Sequence, residues 1–133
     1  SANQYGFNIV QMLQKINQRI QCLKGKDYQI GHAYFMPLCK QFDEEKIYIE
    51  TLQRILQNKI LPLLQEYFFS NLDYIGLVLN DNDESSCRII EKNNTEELLF
   101  PFAEKLPKFN PLHSIRLNTG CFESIDRIKQ IYS

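Results

Sequence analysis

Between Leu52 and Phe68 the apolar residues return every third or fourth position: Leu52, Leu56, Ile60, Leu63 and Tyr67, widened by Ile55, Leu64 and Phe68. Such a stripe is one face of a helix, and it needs a second apolar surface to cover it. Pro62 sits inside the run and has no amide proton to give the carbonyl of Asn58. The stripe therefore predicts one long helix kinked at the proline, rather than two separate helices. A second stripe, Ile9, Leu13, Ile16, Ile20 and Leu23, predicts a partner helix over Asn8 to Leu23. Gln11, Gln14, Lys15, Gln18 and Arg19 cover its remaining surface, and Gly25 can supply the left-handed residue that ends it.

The other elements are short. A helix is expected from Ala33 to Lys40, with Pro37 awkward inside it. Asp43 is placed to cap the long helix, with Glu44 and Glu45 at its positive end, and Asn71 to cap a helix over Leu72 to Leu79. After Asn80 the texture changes. "NDNDESS" reads as a solvated polar loop, Cys87 to Glu91 as a strand, and Thr95-Glu96-Glu97 as the opening of a short helix. Pro107 and Pro111 punctuate a loop, His113 to Leu117 is a second strand, and Phe122 to Tyr132 closes the chain as a helix. The two strands suffice only to pair with each other beside the helices. The fold class is mainly α, with a minor two-stranded β element in the C-terminal part.

Composition limits the function classes. The chain has 133 residues, 44% of them hydrophobic, and a net charge of −1. That supports one packed core and gives no general basic field for nucleic acid. No apolar run approaches a membrane span, and no signal peptide opens the chain. The first residue is Ser1 rather than Met, which suggests a piece of something longer. Cys22, Cys39, Cys87 and Cys121 form no C-x-x-C pair and have no His at metal spacing. They read as free thiols in a reducing cytoplasm.

Catalytic signals are thin. No glycine-rich phosphate loop is present, since Gly25-Lys26-Asp27 lacks the preceding glycine and the hydroxyl. Ile75 to Leu79 followed by Asn80-Asp81 superficially matches a strand ending in a magnesium-binding acid, but its upstream caps are helical. His32 and His113 lack the surroundings of a nucleophile, and Asp81, Asp83 and Glu84 lack the spacing of a calcium loop. Tyr67-Phe68-Phe69 keeps helical phase and reads as core rather than as a base-stacking platform. No catalytic residue and no metal ligand is assigned. The unusual word is "KDYQIGHAYFMP", which puts Gly31-His32 at the mouth of a helix, where unpaired amides favour an anion.

The words "INQRI", "DYQIGHAYF", "NKILPLLQEYFF" and "IGLVL", in that order from Ile9 to Leu79, resemble the C-terminal part of McrB-type AAA+ motor proteins of modification-dependent restriction systems. In that family a Ser follows the Gly-His where this chain has Ala33, and an acidic pair is common where it has Ser70-Asn71. The resemblance implies the small helical lid of an AAA+ protein over residues 1–80, with a C-terminal extension over 81–133 packed on it. It implies that the phosphate loop and magnesium site lie upstream in a parent that hydrolyses GTP (or ATP). The implied partners are that AAA+ core, neighbouring subunits of a hexamer and a separate nuclease subunit. Gly31 and His32 are then the residues to reach nucleotide phosphates, with Arg19 a weaker candidate.

Two other readings compete. One is a stand-alone helical interaction module with no nucleotide link. The other has Arg88, Lys92, Lys105, Lys108 and Arg116 contact DNA, but acids interleave with these bases and no direct DNA contact is expected.

Overall fold

The computed structural model describes residues 3–82, 87–93, 99–102, 105 and 115–133. The expected helix start at Thr95, the Pro107 and Pro111 loop, His113 and Lys108 lie outside them. A hairpin that the periodicity does not show opens the chain: β1 (Asn3–Gln4) pairs with β2 (Phe7–Asn8). Its two turn residues, Tyr5 and Gly6, have φ of 56° and 75°, the left-handed pair that a tight hairpin requires.

Helix α1 (Ile9–Lys24) starts where Asn8 Oδ1 accepts the Gln11 amide at 3.1 Å. It ends as expected at Gly25, φ 123°, a conformation that an L side chain resists. Its inward residues are Ile9, Met12, Ile16 and Ile20, while Leu13 is half-buried and Leu23 is exposed. Met12 thus takes the inner position expected of Leu13. A 3-10 helix, His32–Leu38, follows and anchors itself with Phe35 and Leu38. Its tighter hydrogen bonding accommodates Pro37, which an α-helical interior would not.

The long kinked helix is present in three consecutive segments: α2 (Glu45–Ile55), a π-helical turn Leu56–Ile60, and α3 (Leu61–Tyr67). Within the π turn the Leu61 amide donates to the Leu56 carbonyl, five residues back. This widened turn lies just ahead of Pro62, where an amide is missing anyway. The extra residue also advances the buried face by one position. Leu52 and Ile55 point inward before it, Leu56 and Ile60 at its two ends, and Leu61, Leu64 and Phe68 after it, which leaves Leu63 and Tyr67 only half-buried. Asp43 does not cap α2. Glu44 occupies the cap position and makes no side-chain cap bond. Asn71 does cap α4 (Leu72–Val78), accepting the Tyr74 amide at 3.1 Å.

Beyond α4, β3 (Ile90–Lys92) pairs antiparallel with β4 (Ile115–Leu117) in the register Ile90↔Leu117, Glu91↔Arg116. The pleat turns Ile90, Ile115 and Leu117 inward and leaves Glu91 and Arg116 outside, 2.8 Å apart. The closing helix is shorter than the stripe predicts: α5 spans Ile125–Lys129, capped by Ser124, between 3-10 turns at Thr119–Cys121 and Gln130–Tyr132. One buried cluster runs from Phe7 and the α1 stripe through α2 and α3 to Ile90, Leu117, Phe122 and Ile131. Tyr48 sits in it with its ring 5.2 Å from that of Phe42 and 6.1 Å from that of Phe7.

Two expectations fail in the C-terminal part. Cys87 and Cys121 are not free but joined as a disulfide, with Cα atoms 5.4 Å apart across 34 residues of sequence. Cys22 and Cys39 are exposed and take no part in this disulfide. The β3–β4 pairing creates that proximity, which no local spacing encodes. Asp81 is not part of a solvated turn: it is 1% exposed. Its carboxylate accepts the amides of Ile89 (2.9 Å) and Ile90 (3.1 Å), Arg88 Nε (3.2 Å) and Arg127 Nη2 (2.7 Å). A buried carboxylate persists only with such a full set of donors.

Candidate functional site

The connector that carries Gly31 and His32 is pinned from two helices. Asn17 on α1 holds Ile30 by both backbone groups: its amide donates to the Ile30 carbonyl at 3.0 Å, and its oxygen accepts the Ile30 amide at 2.6 Å. Tyr67 on α3 donates its hydroxyl to the Gln29 carbonyl at 3.1 Å and packs edge-on against Tyr28. Downstream, Phe35 and Leu38 sink into the core. Buried Gln4 closes the segment, donating to the carbonyls of Leu38 and Lys40 and accepting the Phe42 amide at 3.0 Å.

Between these anchors Gly31 and His32 are exposed. Gly31 has an ordinary extended backbone, φ −73° and ψ 150°, and a β-carbon built there would meet nothing within 4 Å. Neither the backbone nor the packing of this chain demands a glycine at that point. Among the described residues His32 has no hydrogen bond or ion pair, so its imidazole is available to a ligand.

Arg19 stands apart from that pair. Two residues from Asn17, it lies on a different face of α1, and it donates to the carbonyls of Val78 (3.0 Å), Ile131 and Ser133 (3.4 Å). It clamps the end of α4 to the C-terminal turn, and burial holds its pKa below the usual guanidinium value. Sequence reasoning missed this clamp because its acceptors are backbone groups far along the chain.

Tyr67-Phe68-Phe69 divides rather than packing as a unit. Phe68 is buried and Tyr67 half-buried, but Phe69 is 78% exposed, because α3 ends at Tyr67 and helical phase no longer governs it. Phe69 and Ser70 have φ of 51° and 59°. Phe69 rims a cleft of about 410 Å³ with Leu23, Lys24, Tyr67 and Tyr74. The Lys24 ammonium lies 4.9 Å from the Tyr28 ring centre and 5.1 Å from that of Phe69. Among the described residues Leu23, Phe69, Tyr74 and Leu77 are exposed apolar side chains.

Of the bases considered for DNA, Arg88 is paired with Asp81 and Arg116 with Glu91. Among the described residues no group of three or more His, Cys, Asp or Glu could hold a metal ion. No helix among them is long and apolar enough to cross a membrane. The apolar run Ile75 to Leu79 lies largely in helix α4, not in a strand.

Among the described residues, five α-helices, two small two-stranded sheets and an exposed Gly-His connector make a mainly helical bundle consistent with a lid domain. The family described as McrB, alpha-helical lid domain, matches residues 8–76, and the chain belongs to it. No curated protein matches the chain.

Proposed function

We propose that this chain is the nucleotide-sensing and assembly lid of a McrB-like, GTP-hydrolysing (or ATP-hydrolysing) AAA+ subunit of a DNA restriction system. It does no catalysis alone. In this reading the magnesium, the phosphate cradle and the water-positioning groups belong to the AAA+ core of the parent. Gly31 and His32 face the nucleotide phosphates, with the glycine allowing close approach and the imidazole donating a hydrogen bond. Arg19 contributes from inside, as the clamp that ties the C-terminal turn to the lid. The exposed face around Leu23, Phe69 and Tyr74 packs on a neighbouring subunit of the hexamer, and a separate nuclease is driven by the assembled motor in the cytoplasm.

The observation that supports the reading best is Gly31. The chain's own packing makes no use of the missing side chain there, which leaves the backbone open to close approach from outside. The test uses two substitutions. Gly31→Ala should leave the melting behaviour of this chain unchanged or stabilise it by up to roughly 1 kcal/mol. In the parent protein, both Gly31→Ala and His32→Ala should lower GTP hydrolysis and nucleotide-dependent assembly. The isolated chain should bind GTP weakly at most and hydrolyse none. Robust hydrolysis by the isolated chain, or full activity of both variants in the parent, refutes the proposal.

A further inference from the structure

Helices α2 and α5 do not close against each other along their outer faces. Between them lies an open groove of about 810 Å³. Its exposed apolar surface is chiefly the ring of Tyr5, while Ile49 on α2 and Ile125 on α5 lie beneath it, 7% and 8% exposed. Its polar rim is unbalanced. Glu45 and Glu50 line it from α2, and Glu123 and Asp126 from the α5 side, against only Lys46 and Lys129. Lys46 is already placed 4.0 Å from Glu50. Asp43 and Glu44 lie next to the same mouth. The Tyr5 hydroxyl registers the resulting field: its pKa is raised by burial first, then by Asp43, Glu45 and Glu44.

The groove exists only at a seam. Its α2 wall belongs to the part of the chain that matches the lid family, and its α5 wall lies beyond that match. Gln53, at the inner end of the groove, donates to the Phe122 carbonyl at 2.6 Å and so fixes the spacing of the two walls. Carboxylates on both walls repel a phosphate backbone, which disfavours nucleic acid. They are also spread over two walls and, among the described residues, not gathered as a metal cluster.

We propose that this groove is the docking site for an extended, Lys- and Arg-bearing segment of a protein partner. Carboxylates on both walls receive the cationic heads, and the aliphatic stems lie across the exposed ring of Tyr5, the mode in which long basic side chains cover apolar surface. The C-terminal region thereby acquires a role: it supplies the second wall. This inference is independent of the nucleotide reading, because none of its residues belongs to the Gly31-His32 connector.

The test titrates the full 133-residue chain with fluorescein-labelled octalysine and follows anisotropy and amide shifts, with octaglutamate and spermine as comparisons. Octalysine should bind, shift the amides of Glu50, Glu123 and Asp126, and lose about tenfold in affinity between about 25 and about 250 mM NaCl. The double variant Glu123→Lys, Asp126→Lys should bind it about tenfold more weakly. Glu66→Lys with Asp73→Lys, an equal change of net charge outside the groove, should bind as the parent does. Circular dichroism melts of both variants establish that each is folded. Equal losses in the two double variants would mean that only net charge matters and would overturn the proposal. So would spermine binding as tightly at the same amides, which makes the groove a small-cation site, or no octalysine binding at all at low salt.

Discussion

From α1 to α4 the core is lined by helices of seven to sixteen residues. Beyond Asn80, among the described residues, no strand exceeds three residues and α5 has five. Segments that short carry few side chains inward and cannot hold themselves by apolar burial alone. They are fastened individually instead. Asp81 gathers the start of β3 and Arg127 of α5, and the Cys87–Cys121 link joins the two sides of the small sheet. Polar residues of the first region reach across to cap backbone groups of the second. Gln57 accepts the Leu117 amide at 2.6 Å, Gln53 donates to the Phe122 carbonyl, and Asn80 donates to the Gln130 carbonyl at 2.8 Å. Broad apolar faces tolerate single substitutions; a region held by a few specific bonds should not.

The sharpest way to break this contrast is Asp81→Ala. It leaves two backbone amides and two guanidinium groups without their shared acceptor, and should cost roughly 3–5 kcal/mol in urea unfolding. Hydrogen exchange should rise first at Ile89, Ile90 and α5 while the centre of α1 stays protected. Equal acceleration in α1 would show that the two regions open as one unit.

Opening the disulfide comes next. Reduction, or Cys87→Ser, should cost roughly 4 kcal/mol for a crosslink of this span. Cys22→Ser should melt as the parent does, since that thiol is exposed and takes no part in the disulfide.

The smallest effect probes the helical region. Burial pushes the hydroxyl of Tyr48 up to about 12, and that hydroxyl has no hydrogen-bond partner among the described residues. The unfolded chain ionises at the ordinary tyrosine value near 10. Stability from this group is therefore complete below pH 10 and declines as pH rises through 12, by at most roughly 3 kcal/mol. Tyr48→Phe should unfold no more readily at neutral pH and should flatten that alkaline decline. A parallel decline in the variant would assign it to other tyrosines.

The helical region was legible because its information is periodic. The stripes from Ile9 to Ile20 and from Leu52 to Phe68, the Asn71 cap and the Gly25 stop each depend on residues a turn or so apart. The order of words around Gly31-His32 pointed to the lid family, which the match over 8–76 shows. Periodicity could not foresee the π turn that moves Leu64 rather than Leu63 inward, because one extra residue in a turn leaves no mark in the spacing upstream.

What tertiary structure alone decided is the set of partners with large sequence separation. Asp81 meets Arg127 across 46 residues, Cys87 meets Cys121 across 34, and Arg19 meets Ile131 across 112. A carboxylate, a thiol or a guanidinium looks the same in the sequence whether it faces water or a buried partner. Helical faces are written locally, since they follow from 3.6 residues per turn. Contacts between short elements follow only from how the whole chain packs.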